Sequence, residues 1–225
     1  MRETEFPALI GRELWFPDPN TAATDGDFDG LVAIGGDLSC ERLKLAYRSG
    51  IFPWSVNPIT WWSPNPRGII PIEHDQWPRS LRKLVRKELF RISVDTAFEE
   101  VIRNCADSKR PGCWITPEFI AAYTALHRAG IAHSLECWQD NELVGGIYGV
   151  AIGGLFTGES MFHKASNASK IALVMLLKYL RGRGFTLFDT QMVTDTTAKL
   201  GAVEISRDDY LKALDQAVNQ EVSFS

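Results

Sequence analysis

The stretch that decides the fold is "LVGGIYGVAIGGLFTGESMF", residues 143–162. It is strand-like and apolar, broken once by the glycine pair at 153–154, and it predicts two strands joined by a tight turn. Upstream, "AHSLECWQ" (132–139) alternates as a strand, and "DNE" (140–142) supplies a hairpin turn into the run. Downstream, "SNASKIALVMLLKYLRGRG" (166–184) predicts a helix capped by Ser166 or Asn167 and stopped at Gly184. "TLFDTQM" (186–192) then predicts a strand, "TDTTAKLGA" (194–202) a short helix, "VEISR" (203–207) a strand and "DDYLKALDQAV" (208–218) a last helix. An antiparallel meander followed by helix, strand and helix predicts a mixed α/β (α+β) sheet, mostly antiparallel, with a ligand cleft.

Further upstream the pattern is also regular: "SLRKLVRKELF" (80–90) as helix, "RISVD" (91–95) as strand, then helices in "AFEEVIRNCAD" (97–107) and "TPEFIAAYTALHRAG" (116–130). The beginning differs. Residues 1–65 are rich in Pro, Gly, Trp and Asp, with one clear helix, "CERLKLAYRSG" (40–50), capped by Ser39 and stopped by Gly50. The proline-punctuated "GIFPWSVNPITWWSPNPRG" (50–68) cannot form a long helix. The expectation is a small irregular N-terminal domain over 1–65, docked through tryptophans without a core of its own, and a larger domain over 66–225.

Composition excludes several classes. At 45% hydrophobic and 23% charged, the 225-residue chain is ordinary globular material, and its net charge of -4 confines any nucleic-acid contact to a local patch. "MRETEFPALIGRELWFP" carries acids and prolines and no apolar segment, so no signal peptide is expected. "IALVMLLKYL" (171–180) is too short and too interrupted to span a bilayer. Cys40, Cys105, Cys113 and Cys137 form no CxxC pair and have no histidine at zinc spacing, which predicts a reduced, cytoplasmic chain without a metal. No GxxxxGK[ST] and no strand-borne GxGxxG is present, so ATP and NAD chemistry are not expected.

Three constellations carry chemistry. Arg79, Arg82, Lys83, Arg86 and Lys87 recur at helical spacing on one side of residues 79–87, a basic face suited to a polyanion backbone. Trp54, Trp61, Trp62 and Trp114 serve either packing or base stacking, and packing is expected for Trp61 and Trp62. "GGLFTGESMF" and "LFDTQM" are apolar runs ending in polar residues, Glu159, Asp189 and Gln191, as strand ends do at a cleft. Asp189 and Gln191 are two apart and are expected on one face. Carboxylates and an amide without a Ser, Cys or His nucleophile suit an already activated substrate that the protein positions and deprotonates.

The segments "GLVAIGGDLS", "AYRSGIFPW", "WWSPNPRG", "WITPEFIAAYTALHRAGIAHSLE", "LVGGIYGVAIGGLFTGESMFHKASNASKIAL" and "FDTQMVTDTTAKLGA" resemble, in order and over nearly the whole chain, the leucyl/phenylalanyl-tRNA–protein transferases. The resemblance implies a small N-terminal domain and a C-terminal domain of the GNAT acyltransferase type. It implies transfer of Leu or Phe, and less efficiently Met, from aminoacyl-tRNA to the α-amine of proteins beginning with Arg or Lys, which marks them for N-end rule degradation. No metal, ATP or other cofactor is implied, and the expected form is a cytoplasmic monomer. By the same resemblance Asp189 and Gln191 orient and help deprotonate the amine, and Glu159 is an active-site carboxylate that holds the cationic N-terminal residue or the amine. Ile147, Phe156, Leu173, Leu180 and Phe188 line the aminoacyl pocket. Trp54 and Trp114 stack on the tRNA 3′ adenosine, and the helix from Arg79 to Lys87 grips the acceptor stem. An apolar pocket separates side chains by shape, one methylene counting for about 1–3 kcal/mol.

The chain departs from the family pattern at Thr196, where a histidine is usual, and it ends soon after "DQAVNQEVSFS", short of the tail many members carry. Two rivals remain open. A GNAT N-acetyltransferase using acetyl-CoA needs a glycine-bearing pyrophosphate loop that "FHKASNASKIA" lacks. A module that merely holds tRNA ends has no need of Glu159, Asp189 and Gln191 together.

Overall fold

A computed structural model describes residues 7–24, 26–106 and 114–225. Cys113 and the predicted helix end at Asp107 lie outside these residues. Two sheets organise the chain. Strands β1 (Ala8–Ile10), β2 (Leu31–Gly35), β3 (Phe52–Val56) and β4 (Ile59–Trp62) form a four-stranded sheet in the order β1-β2-β4-β3. The segment expected to be irregular therefore carries a sheet, built from strands of only three to five residues. Helix α1 (Cys40–Arg48) starts where expected, with the Ser39 side chain accepting from the Arg42 N–H, and ends at Gly50, whose φ of 76° is the left-handed stop.

The second sheet has seven strands. They are β5 (Arg67–Ile70), β6 (Arg91–Val94), β7 (Ala132–Gln139), β8 (Glu142–Ile152), β9 (Leu155–His163), β10 (Leu187–Gln191) and β11 (Val203–Ile205), in the order β11-β5-β10-β9-β8-β7-β6. Only the β9–β10 pair is parallel, so the sheet is mixed and mostly antiparallel, as expected. The deciding stretch is the β8–β9 hairpin. Its turn needs glycine at Gly153, where φ is 56° and a Cβ would sit 2.6 Å from the Ala217 carbonyl oxygen.

Each face of this sheet has its own core. Helices α3 (Phe98–Cys105), α4 (Pro117–Arg128) and α7 (Arg207–Val218, after the four-residue α6, Asp195–Ala198), together with α1 and the four-stranded sheet, pack on Tyr148, Val150, Leu155 and Leu187. Helices α2 (Arg79–Arg86) and α5 (Ala168–Gly182) pack on Ile147, Phe156 and Phe188 from the other side. Adjacent strand residues thus serve opposite cores, the alternation that places a cavity wall of one kind on each face. The four-stranded sheet shares the first core and has none of its own. Trp61, fully buried, fixes that junction, its indole N–H donating to the Gly35 carbonyl at 2.9 Å and its ring edge-on to Phe16.

Helix α5 begins at Asn167, whose φ of 65° sets the chain direction, but neither Asn167 nor Ser166 caps a backbone N–H of the helix through its side chain. Its stop is as expected: Gly184 has a φ of 85°, and the Phe185 N–H reaches back to the Leu180 carbonyl. No helix among the described residues is long and apolar enough to cross a membrane.

Candidate active site

The cleft opens where the parallel pair ends. Strands β9 and β10 are bonded only through Leu155–Thr157 and Leu187–Asp189. Just beyond, each strand carries an extra residue. On β9, Tyr148 pairs with Ser160 and Gly149 with Gly158, leaving Glu159 as the bulged residue. On β10, Asp189 pairs with Ile69 and Gln191 with Gly68, leaving Thr190. Bulges bend a strand and re-aim side chains, and here they turn Glu159 and Gln191 towards each other. The Gln191 amide N–H donates to Glu159 Oε1 at 3.0 Å.

Gln191 sits in a tight turn. Its φ is 63°, and the Met192 N–H donates to the Thr190 carbonyl at 2.6 Å, the pattern of a γ-turn that a non-glycine residue adopts only when its surroundings hold it there. Two neighbours do so. Asp189 Oδ1 accepts the Gln191 backbone N–H at 2.8 Å, and Gly68 leaves room beneath, since a Cβ there would meet the Met192 carbonyl carbon at 2.7 Å.

Asp189 itself does not reach the cleft, which corrects the expectation that it shares a face with Gln191. It is fully buried and receives the Arg67 guanidinium on both oxygens, at 2.9 and 2.6 Å, and the Tyr210 hydroxyl at 2.8 Å. Arg67 also donates to the Gly50 carbonyl at 3.0 Å, so β5, β10, α7 and the end of α1 meet at one ion pair. The alternation rule failed because the extra residue and the γ-turn lie after Asp189. Asp189 touches the cleft only through the Gln191 turn that its Oδ1 holds.

Glu159 is 8% exposed and held from two sides. Tyr47 of α1 donates to Oε1 at 2.8 Å and Tyr123 of α4 to Oε2 at 2.9 Å. Burial pushes its carboxyl up to about 7, against the pull of the two tyrosine hydrogen bonds; Asp189 adds to the rise and Arg67 opposes it. A carboxyl so poised changes its protonation state near neutral pH, as an acid–base group requires.

A cavity of about 210 Å³ runs from this pair along the second core. Ile147, Leu173 and Phe188, three of the five residues expected in the aminoacyl pocket, form its apolar wall with Met161. Phe156 and Leu180 do not line it. Both are fully buried, Phe156 stacked behind Phe188 with ring centroids 5.6 Å apart, so they back the wall without facing a ligand. Thr190, Gln191, Thr194 and Thr197 give the opposite side its polarity, and Thr196 is not part of it.

A second cavity of about 160 Å³ shares Trp114, Glu159, Gln191 and Met192 with the first, and is completed by Phe52, Pro53 and Trp54. The two tryptophans expected to stack on one base therefore border one space, although they lie sixty residues apart in sequence. On the α5 side of the sheet, Arg79, Arg82, Lys83, Arg86 and Lys87 are all exposed and Leu81 anchors α2. Among the described residues none of the five is held in an ion pair, and no group of three or more His, Cys, Asp or Glu side chains could hold a metal ion. Tyr47, Tyr123, Arg67 and Tyr210 were not foreseen; each sits in a helix or strand where it reads as core or surface, and no local signal marks it.

Residues 69–215 match the family model described as leucyl/phenylalanyl-tRNA protein transferase, and residues 36–65 match the model of that protein's N-terminal domain. Proteins named leucyl/phenylalanyl-tRNA–protein transferase resemble the chain closely. That of Pseudoalteromonas atlantica is 50% identical over 96% of this chain and 93% of its own. That of Pectobacterium carotovorum is 49% identical over 92% and 89%, and that of an Anaeromyxobacter species 48% over 94% and 91%. Among solved structures, an aminoglycoside acetyltransferase from an uncultured soil sample aligns at 11% identity over 59% of this chain and 89% of its own, with a TM-score of 0.39, a likeness too slight to build on.

Proposed function

The chain belongs to the leucyl/phenylalanyl-tRNA–protein transferase family, an aminoacyltransferase family acting between aminoacyl-tRNA and protein, and from that premise we propose its finer activity. It transfers leucine or phenylalanine, and methionine less efficiently, to the α-amine of proteins that begin with arginine or lysine. The product carries a new N-terminal residue that directs N-end rule degradation in the cytoplasm. The protein works as a monomer, without metal or nucleotide, because the ester linking the amino acid to tRNA already holds the free energy of the new bond.

The observation that carries this reading is the meeting of two cavities at Glu159 and Gln191. One takes an apolar side chain against Ile147, Leu173 and Phe188. The other takes the 3′ adenosine between Trp54 and Trp114. The ester carbonyl then lies at their junction, beside the carboxylate that receives the cationic acceptor. The Gln191 amide, held by the Asp189-pinned turn, orients the attacking amine. A panel of acceptor peptides tests the acceptor assignment. Label from Leu-tRNA should reach peptides starting with Arg or Lys and not those starting with Ala or with Nα-acetyl-Arg. Equal transfer to the Ala peptide would overturn it.

Helix α2 supplies the grip on the tRNA backbone. Reversing Arg82 and Arg86 to Glu should weaken tRNA binding at all sequences alike and flatten its salt dependence by about two units of log K against log salt, roughly one for each phosphate no longer neutralised. Binding measured from about 50 to 200 mM salt checks this. An unchanged slope would place the acceptor stem elsewhere.

A further inference from the structure

Three oxygen-to-oxygen contacts close a ring around Glu159. Tyr47 meets Oε1, Tyr123 meets Oε2, and the two phenol oxygens are in short contact with each other. Each contact needs one proton. Each phenol brings one, and burial together with the Glu159 charge raises both phenol pKa values well above their ordinary range, so neither proton leaves. With Glu159 ionised the ring therefore has two protons for three contacts. A third proton on the carboxyl completes the ring, and placed on Oε2 it leaves Oε1 accepting from both Tyr47 and the Gln191 amide. A proton on Oε2 gives a ring in which Glu159 donates to Tyr123, Tyr123 to Tyr47, and Tyr47 back to Oε1. A clasp that only joined α1, α4 and β9 would be complete with two hydrogen bonds.

We propose that Glu159 is the proton acceptor for the incoming amine, and that Tyr47 and Tyr123 are positioning residues whose ring with Glu159 is completed by that proton. The proposal rests on the family-level reading of the reaction. In it, the acceptor ammonium gives its first proton to Glu159. The freed amine attacks the ester carbonyl, the C–N bond forms, and the C–O bond to the ribose breaks. The second N–H proton leaves with the ribose oxygen, and Glu159 returns the first to solvent, so each turnover releases one proton. The groups facing the ring are Tyr47 from α1, Tyr123 from α4, Asp189 and Gln191 from β10, and Arg67 from β5.

The test is the pH profile of transfer from Leu-tRNA to an Arg peptide under single-turnover conditions, for wild type, Tyr47→Phe, Tyr123→Phe and Glu159→Gln. Wild type should show two rising limbs, one near pH 7 from Glu159 and one at about 8 from the peptide amine. Each phenylalanine removes a charge-assisted hydrogen bond to the ionised carboxylate, which outweighs the neutral phenol–phenol contact that the ring gains on protonation. The lower limb should therefore move up by about one unit, with transfer at about pH 6 falling about tenfold and transfer at about pH 9 little changed. Glu159→Gln should lose that limb, keep the amine limb, and slow transfer by about 10²-fold or more. A uniform loss with no movement of the limb in either tyrosine variant would reduce the ring to a structural clasp and overturn the proposal, as would Glu159→Gln transferring at the wild-type rate. Wild type showing no transfer at any pH would overturn the reading beneath it, and the relay with it.

Discussion

Replacing Asp189 by alanine is expected to abolish transfer and lower thermal stability together, while tRNA binding stays near the wild-type value. The stability loss follows from what remains. Arg67, with a side chain 1% exposed, would keep its charge with no carboxylate, its remaining hydrogen bonds among the described residues being to the Gly50 carbonyl and the Tyr210 hydroxyl. Stranding one member of a buried ion pair costs about 3–5 kcal/mol, which in a chain of this size lowers the melting temperature by about 10 °C. The loss of transfer follows from the turn, because without Oδ1 the Gln191 N–H loses its partner and the left-handed residue relaxes. The two effects separate in a double variant. Adding Arg67→Met should restore most of the stability, since a buried pair exchanged for apolar side chains is close to neutral, and should leave transfer lost. Calorimetry, filter binding and a transfer assay check all three. Asp189→Ala transferring at the normal rate would remove the positioning role.

Gln191→Ala is expected to show the opposite combination. The side chain is only half-buried and bonds only Glu159 among the described residues, so its removal should leave the melting temperature within about 2 °C. Transfer should fall by about 10²-fold or more, the usual effect of deleting one preorganised donor at a reacting centre. The loss should appear in the rate of the bound complex and not in affinity for tRNA, because the exposed basic face of α2 lines neither of the two cavities that meet at Gln191. An effect confined to tRNA affinity would move Gln191 from the reacting centre to the binding surface.

Much of this could be read from the residues alone, and the exceptions have physical causes. Strands β7, β8 and β9 and helix α5 were legible because each, at eight residues or more, is long enough for its period to show. Strands β1 to β5 were not, because three to five residues hold too few alternations to count. Glu159 and Gln191 were legible as polar residues closing apolar runs. Asp189 was placed on the wrong side because alternation holds only along an unbroken ladder, and the ladder breaks at Thr190. Phe156 and Leu180 are buried outside the lining of this cavity, a distinction no residue type carries, since facing a cavity or backing it leaves the same one. Tyr47, Tyr123 and Arg67 were out of reach. Tyr47 finds Tyr123 across 76 residues and Glu159 across 112, and Arg67 finds Asp189 across 122.

The central claim is that the donor arrives already activated, as an amino acid esterified to tRNA, and that this fold needs only to seat and deprotonate. The direct measurement offers the protein two donors in parallel, labelled Leu-tRNA and labelled acetyl-CoA, each with a peptide beginning with arginine. Label is expected on the peptide α-amine from Leu-tRNA alone, with no nucleotide added. Label from acetyl-CoA and none from Leu-tRNA would contradict the claim.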